Sequence, residues 1–126
     1  MLASASRRPG RRPALDRVER MSRPVIVQKF GGSSVATPEH ISSVADQVVR
    51  RHRAGFDLVV VVSAMGQATD ELLGMARQLS AEPDRRELDM LLTVGERITM
   101  ALLALAIRER GLQAVSLTGS PAGIMT

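Results

Sequence analysis

The hydrophobic residues of this 126-residue chain fall into short continuous runs separated by longer segments with helical spacing. Three short segments rich in aliphatic residues, at residues 25–30, 57–63 and 113–117, predict strands. The second run, DLVVVVS, is apolar at consecutive positions, which is typical of a parallel strand covered on both faces. Between the first two runs, one helical face is formed by Ile41, Val44, Ala45, Val48 and Val49.

Polar residues mark the ends of the predicted helices. A hydroxyl residue, a proline and an acid at 37–39 predict a first helix capped by Thr37, and Gly55 ends it. Thr69 is predicted to cap a second helix, with acids in its first turn. The pattern over residues 84–110 is helical and predicts either one helix or two joined near Thr93 to Gly95, and Gly111 ends it.

The predicted order β-α-β-α-α-β indicates an α/β fold of the three-layer αβα type, with a mainly parallel sheet that is incomplete in this chain. The folded part is predicted to be residues 24–126. Ligands of such folds bind at the carboxyl ends of the strands. Here those ends carry small, glycine-rich loops at residues 29–32, 63–66 and 118–120.

Residues 1–23 show no sustained periodicity and contain two prolines and a glycine, so we expect them to be a disordered basic tail. Three origins remain open. In the first, Met21 is the true start and an upstream start was assigned wrongly. In the second, the segment is an organelle transit peptide, and in the third it is a basic arm. No apolar segment of a secretory signal follows the arginines.

The formal net charge of +4 is concentrated in this tail, because seven arginines lie within residues 1–23 and the remainder is near neutral. Only 2% of residues are aromatic. A nucleic-acid-binding domain would have a basic folded surface and stacking aromatics, so none is expected. No cysteine and only two histidines are present, which argues against a metal site. No uninterrupted apolar run approaches the ~18 residues of a membrane span.

The segment VIVQKFGGSS is the strongest candidate for chemistry. Lys29 is the only lysine among 17 basic residues, and Gly31 and Gly32 follow it. An ammonium at a strand end beside glycine amides suits a phosphate oxygen. The structural alternative is a strand-end lysine that extends into water. The order of residues excludes a P-loop, in which lysine follows the glycines.

Four motifs, KFGGSSV, VVVSAMG followed by TDELL, LLTVGERI and SLTGSPAGI, resemble those of aspartate kinases in the amino-acid kinase family, in order and spacing. The resemblance covers residues 25–126. It implies transfer of the ATP γ-phosphate to the side-chain carboxylate of L-aspartate, with Mg²⁺ bound through ATP. It also implies a cytoplasmic enzyme of lysine, threonine and methionine synthesis that forms a homo-oligomer at full length.

The resemblance also implies residue roles. Lys29 would neutralise the transferring phosphoryl group, and Phe30, Gly31 and Gly32 would form the phosphate-binding turn. Ser63 would lie near the phosphates. Thr69 and Glu96 would bind aspartate. Structural alternatives are a helix cap for Thr69, a solvated acid for Glu96 and a simple strand end for Ser63.

Two features depart from the family pattern. Pro121 stands where glutamine is usual. The sequence stops at Thr126, before the family's substrate arginine, GGSD-type loop, catalytic aspartate and adenine site, so we expect an N-terminal part that is inactive alone. The alternatives are another carboxylate kinase, such as one acting on acetylglutamate, or a non-catalytic chain that binds a full-length kinase. Met65-Gly66 followed by Thr69-Asp70-Glu71 favours aspartate.

Overall fold

The computed structural model describes residues 2–6 and 23–118. In chain order the elements are β1 Leu2–Ser6, β2 Val25–Phe30, a 3-10 helix Gly32–Val35, α1 Pro38–Arg53, β3 Asp57–Val62, α2 Ala68–Leu79, α3 Arg85–Glu109 and β4 Gln113–Leu117. The predicted α/β architecture and its three strands are confirmed. The 3-10 helix was not predicted.

The helix ends show why the local signals in the sequence are informative. Thr37 caps α1 by accepting a hydrogen bond from the His40 backbone N–H at 3.2 Å. Gly55 and Gly111 follow α1 and α3 with φ of 111° and 95°, a region that other residues rarely adopt. Residues 85–109 form one continuous helix, so the two-helix alternative is wrong.

The sheet has the order β2-β3-β1-β4. β2 and β3 are parallel, with Val25 opposite Asp57 and Phe30 opposite Val62. β1 is antiparallel to both of its neighbours, β3 and β4. Consequently β4 runs in the same direction as β3 without pairing with it.

The strand β1 differs from our expectation that residues 1–23 lack regular structure. Without it, β3 and β4 would each leave a row of backbone N–H and C=O groups unpaired. The backbone of Leu2–Ser6 pairs with both rows. Residues 7–22, including Met21, lie outside the described residues, so the origin of the tail stays open.

Arg23 also departs from the expected tail, because its side chain is anchored in the folded body. Its Nε donates to an Asp57 carboxylate oxygen at 3.0 Å, and its terminal nitrogen donates to the Phe56 carbonyl at 2.9 Å. These bonds join the start of β2 to the start of β3. The folded part therefore includes Arg23.

Helices α1 and α3 pack against each other and against one face of the sheet. Two crossovers of the same hand that advance in the same direction across a sheet lie on the same face, and β2, β3 and β4 advance in this way. The core between them is aliphatic, and its fully buried members include Val35, Val48, Leu58, Val60, Leu103 and Ile107.

The opposite face of the sheet is open in the described part of the chain. Val25, Val27 and Val115 are exposed there. Helix α2 packs against α3 and does not supply the missing cover. The described residues thus form two of the three predicted layers, one sheet and one layer of helices.

By length and composition, α3 is the one helix among the described residues that could cross a membrane, with a mean hydropathy of 1.8 over its most apolar window. The charged residues Glu96 and Arg97 stand within it. Helices in the core of a protein can be equally long and apolar, and α3 buries Leu103 and Ile107 in the core.

Candidate functional site

Lys29 lies near the carboxyl end of β2 on the open face of the sheet. Positions along β2 alternate between exposed and half-buried, and Lys29 is exposed together with Val25 and Val27. Phe30 points the other way and packs against the core. The packing of Phe30 therefore fixes the side on which the ammonium of Lys29 stands.

The chain turns immediately after β2. Gly31 precedes the 3-10 helix, and its carbonyl accepts a hydrogen bond from the Ser34 N–H at 3.1 Å. The Phe30 carbonyl accepts one from the Ser63 N–H at 3.2 Å. This second bond ties the end of β2 to the end of β3, so the structure brings Lys29, Gly31 and Ser63 to the same edge of the sheet.

Three glycines hold the adjoining loops in close contact. A Cβ on Gly32 would lie 3.4 Å from the Ala64 carbonyl oxygen, and one on Gly66 would lie 2.9 Å from the Cβ of Ala36. A Cβ on Gly95, within α3, would lie 3.0 Å from the Cβ of Ala64. The loop after β3 is therefore packed between the turn after β2 and helix α3.

Thr69 lies inside helix α2 and not at its cap, which corrects the predicted helix start. The helix begins at Ala68, its N-cap is Gln67, and no side chain makes a capping hydrogen bond. A bond from the Ala68 N–H to the Met65 carbonyl at 2.9 Å starts the helix earlier than the hydroxyl signal indicated. The alternative in which Thr69 serves only as a cap is therefore wrong.

Glu96 follows Gly95 in α3 and is half-buried. Gly95 contacts Ala64, which follows Ser63 in the loop after β3. Glu96 is the next residue of α3 and therefore lies close to that loop. Between α2 and α3 lies an apolar cavity of about 140 Å³, lined by Met65, Ala68, Glu71, Leu72, Met75, Gly95 and Ile98. The helices that carry Thr69 and Glu96 form the two sides of this cavity, although neither of these two residues is among those that line it.

The third predicted strand end does not adjoin the other two. Strand β1 separates β4 from β3, so the end of β4 at Leu117 is two strand spacings from the end of β3, on the order of 10 Å. Residues 119–126, including Ser120 and Pro121, lie outside the described residues. The expected meeting of three strand ends is thus reduced to the two that pair directly.

Sequence reasoning missed the structural importance of Gly66 and Gly95. Both were visible within the motifs, but their need for close packing depends on contacts between distant segments. It also missed a cavity of about 250 Å³ beside the turn after β2, lined by Phe30, Ser33, Ser34, His40, Ser43, Val44 and Gln47. The hydroxyl-rich sequence after the glycines was its only available indication.

Lys29, the sole lysine of the chain, supplies a positive charge near the carboxyl end of β2. Within residues 2–6 and 23–118, no group of three or more His, Cys, Asp or Glu side chains is placed to hold a metal ion.

At the start of α1, the pKa of Glu39 is lowered, first by a hydrogen bond from its own backbone N–H and then by one from Thr37.

Residues 24–125 match the amino acid kinase family. The chain is 59% identical to an aspartokinase of Mycolicibacterium smegmatis over 102 residues, which are 81% of this chain and 24% of that protein. It is 56% identical to an aspartokinase of Bacillus sp. strain MGA3 over 102 residues, 81% of this chain and 25% of that protein.

A solved structure is also similar, the crystal structure of aspartate kinase from Synechocystis. It has 55% sequence identity and a TM-score of 0.67, and the match covers 68% of this chain and 15% of that chain. The chain spans about a quarter of the length of the curated relatives that it matches.

Proposed function

The chain belongs to the amino acid kinase family, and we propose that it forms the N-terminal part of an aspartate kinase. In the proposed reaction, a side-chain carboxylate oxygen of L-aspartate attacks the γ-phosphorus of ATP. The bond from that phosphorus to the bridging oxygen breaks, and 4-phospho-L-aspartate and ADP are released. We place the enzyme in the cytoplasm, at the entry to lysine synthesis through diaminopimelate and to threonine and methionine synthesis.

The observation that carries this proposal is the identity of 50–59% to proteins named as aspartokinases, over 102 residues. The family match at residues 24–125 contains every candidate site residue. The contact between the turn after β2 and the loop after β3 supports it further, because phosphoryl transfer depends mostly on positioning and charge stabilisation.

We assign the phosphate side of the site to residues at the ends of β2 and β3. Lys29 is proposed as the catalytic residue that stabilises charge on the transferring phosphoryl group. The amides around Phe30, Gly31 and Gly32 would hold phosphate oxygens, and Ser63 would lie beside them. A lysine suits this task because its ammonium is a compact point charge.

We assign the aspartate side to Thr69 and Glu96. Since Thr69 is not needed to cap α2, its hydroxyl is compatible with a ligand role. The carboxylate of Glu96 would pair with the α-ammonium of the substrate. Such a pair would distinguish an amino acid from substrates whose nitrogen is acylated, because acetylglutamate carries no positive charge there.

Mg²⁺ is proposed to enter bound to the ATP phosphates, where it would neutralise charge on the β- and γ-oxygens. The described residues fit the phosphates, through Lys29 and the glycine amides, better than they fit a metal held directly by side chains. The proposed partners are therefore ATP and L-aspartate, with neither nucleic acid nor membrane, in a homo-oligomer at full length.

The 126 residues alone are expected not to phosphorylate aspartate, because Lys29 is the one positive charge proposed for the phosphate side. The activity is therefore best tested in a hybrid enzyme. Residues 24–125 would replace the matching N-terminal segment of the Mycolicibacterium smegmatis aspartokinase. Acyl phosphate would be trapped as the hydroxamate, with aspartate and with acetylglutamate as substrates.

We expect the hybrid to phosphorylate aspartate and not acetylglutamate. Glu96→Gln should raise the KM for aspartate while leaving the KM for ATP nearly unchanged, and Glu82→Gln, outside the helices, is the matched control. A soluble, folded hybrid without activity would count against the aspartate kinase assignment. A rise only in the KM for ATP would remove Glu96 from the aspartate site.

A second candidate function is a non-catalytic chain that binds a full-length kinase. The open sheet face with Val25, Val27 and Val115 favours it, because an uncovered apolar sheet face is a surface for another polypeptide. Co-purification of the tagged 126-residue chain with a full-length relative would support this alternative. Val27→Lys should then abolish the association.

A further inference from the structure

Strand β1 differs from the rest of the sheet in direction and in composition. It is antiparallel to β3 and β4, whereas β2, β3 and β4 all run the same way. Its five residues, Leu2–Ser6, include neither a β-branched nor an aromatic residue, the types that favour strands most. The neighbouring strand β3 contains four valines. The position of β1 therefore depends on backbone pairing more than on the strand preference of its own sequence.

The place between β3 and β4 that β1 occupies, which we call the central slot, requires a strand. Val59 on β3 and Val115 on β4 both lie opposite Ser4, so one strand separates the two. An empty slot would leave the facing edges of β3 and β4 without backbone partners, which is costly within a sheet. The central slot is therefore a binding site for an extended polypeptide segment, held by main-chain hydrogen bonds.

Strand β1 lies outside the segment that this chain shares with its family. The family match spans residues 24–125, so it contains β3 and β4 but not β1. The matched segment is only 24–25% of the two aspartokinases described above. A relative with the same arrangement of β3 and β4 must also fill the central slot. We expect its remaining polypeptide, about three quarters of its length, to supply that strand.

From the composition of β1, the central slot and the bounds of the family match, we propose that β1 is an exchangeable strand. In the 126-residue chain it closes the central slot, and an extended segment from the larger remaining part of an amino acid kinase displaces it. Strand β1 thus acts as an autoinhibitory contact against assembly with that part. The inference rests on family membership and is read out by binding, so its failure and that of the proposed activity are distinguishable.

The covalent tether makes β1 a competitor despite its sequence. Residues 7–22 join β1 to Arg23. A segment on a short tether competes at an effective concentration on the order of a millimolar. A separate polypeptide at a much lower concentration must therefore pair better than β1 does in order to displace it. If the slot is open in about a tenth of the molecules, the apparent Kd of the incoming segment is raised about tenfold.

A disulfide that locks β1 in place tests the exchange, because the chain contains no cysteine and an introduced pair is unique. Ser4 and Val115 lie directly opposite each other on antiparallel strands. The Cα atoms of such residues are about 4.5–5.5 Å apart, within the range of a disulfide. Ser4→Cys with Val115→Cys should therefore crosslink internally on mild oxidation. Ser4→Cys with Val27→Cys is the control and should not, because β3 stands between their two strands.

The binding partner is the Mycolicibacterium smegmatis aspartokinase without the segment that matches residues 24–125. It is refolded from urea together with the tagged 126-residue chain and then captured through the tag. The reduced form of Ser4→Cys with Val115→Cys should capture at least about tenfold more partner than the oxidised form. Because both forms are the same protein, a general folding defect does not explain a difference between them.

A proline within β1 supplies the second measurement. Ser4→Pro should capture more partner than the parent chain, because proline removes a backbone donor from the strand. Ala14→Pro lies outside β1 and is the matched control, with capture equal to that of the parent chain.

Three results would overturn the proposal. Equal capture by the oxidised and reduced forms would place the partner outside the central slot, for instance on the open sheet face. Capture by neither form would show that the slot does not accept a strand from this partner. Failure of Ser4→Cys with Val115→Cys to crosslink would show that β1 does not occupy the slot.

Discussion

Substitution of Gly66 by alanine tests the close contact between the two loops of the candidate site. The added Cβ would lie 2.9 Å from the Cβ and 3.2 Å from the Cα of Ala36, whereas ordinary contact begins at 3.4 Å. Ala36 or the loop that carries residue 66 must therefore move by about half an ångström, and the nearby Cα of Ala36 belongs to the backbone and cannot rotate away. Overpacking of this kind costs about 1–3 kcal/mol, and the reduced freedom of the unfolded chain offsets roughly 0.4–1 kcal/mol.

We therefore expect Gly66→Ala to lower the free energy of unfolding by about 1–2 kcal/mol. Urea unfolding followed by far-UV circular dichroism is the appropriate assay, because the chain contains neither tryptophan nor tyrosine. Gly31→Ala and Gly74→Ala are matched controls, since a Cβ at either position meets nothing within 4 Å. Gly74→Ala lies in helix α2 and should stabilise by about 0.5–1 kcal/mol.

The double variant Gly66→Ala with Ala36→Gly removes the methyl group that the new Cβ would meet. If the contact is as described, the two substitutions should be coupled by at least about 1 kcal/mol, in the direction of rescue. Additive effects, or a Gly66→Ala variant as stable as Gly31→Ala, would show that the loop after β3 does not pack against the turn after β2.

Three further substitutions test local features by thermal unfolding. Gln28→Met should raise the free energy of unfolding by about 1 kcal/mol, because its Oε1 is buried without a hydrogen-bond partner among the described residues. Arg23→Ala should lower it by about 2 kcal/mol, because the hydrogen bonds from Arg23 to the Asp57 carboxylate and the Phe56 carbonyl are lost. The pKa of Glu39 lies below its ordinary value of 4.5, so its stabilisation is present above that value and lost as pH falls through the folded pKa. Glu39→Gln should therefore lower the Tm at neutral pH, with a difference that vanishes in strong acid.

The strands and the ends of α1 could be predicted because their determinants are local. The cap at Thr37 and the positive φ at Gly55 depend only on neighbouring residues and on the chemistry of the side chain. The continuous run at Asp57–Val62 likewise predicts a strand by itself, although only the alternate positions Leu58, Val60 and Val62 are buried and not both faces as expected. In each case the physical cause lies within one or two turns of the chain.

Strand β1 and the packing of the site loops could not be predicted in this way. Whether Leu2–Ser6 forms a strand depends on the gap between β3 and β4, which is a property of the assembled sheet. Helix α2 begins at Ala68, whose backbone N–H donates to the Met65 carbonyl, and the hydroxyl of Thr69 does not cap it. Contacts of this kind join segments whose spacing the sequence does not reveal.

The most direct test of the central claim is the kcat of the hybrid enzyme with substitutions at Lys29. Lys29→Ala should lower kcat for aspartyl phosphate formation by about 10²- to 10³-fold, the loss typical of one preorganised charge stabiliser. Lys29→Arg should not restore it, because a planar fork does not replace a point charge at a single oxygen. Val27→Ala, two residues earlier on the same face, should leave kcat nearly unchanged. Full activity in Lys29→Arg, or an equal loss in Val27→Ala, would contradict the proposed role of Lys29 at the phosphate.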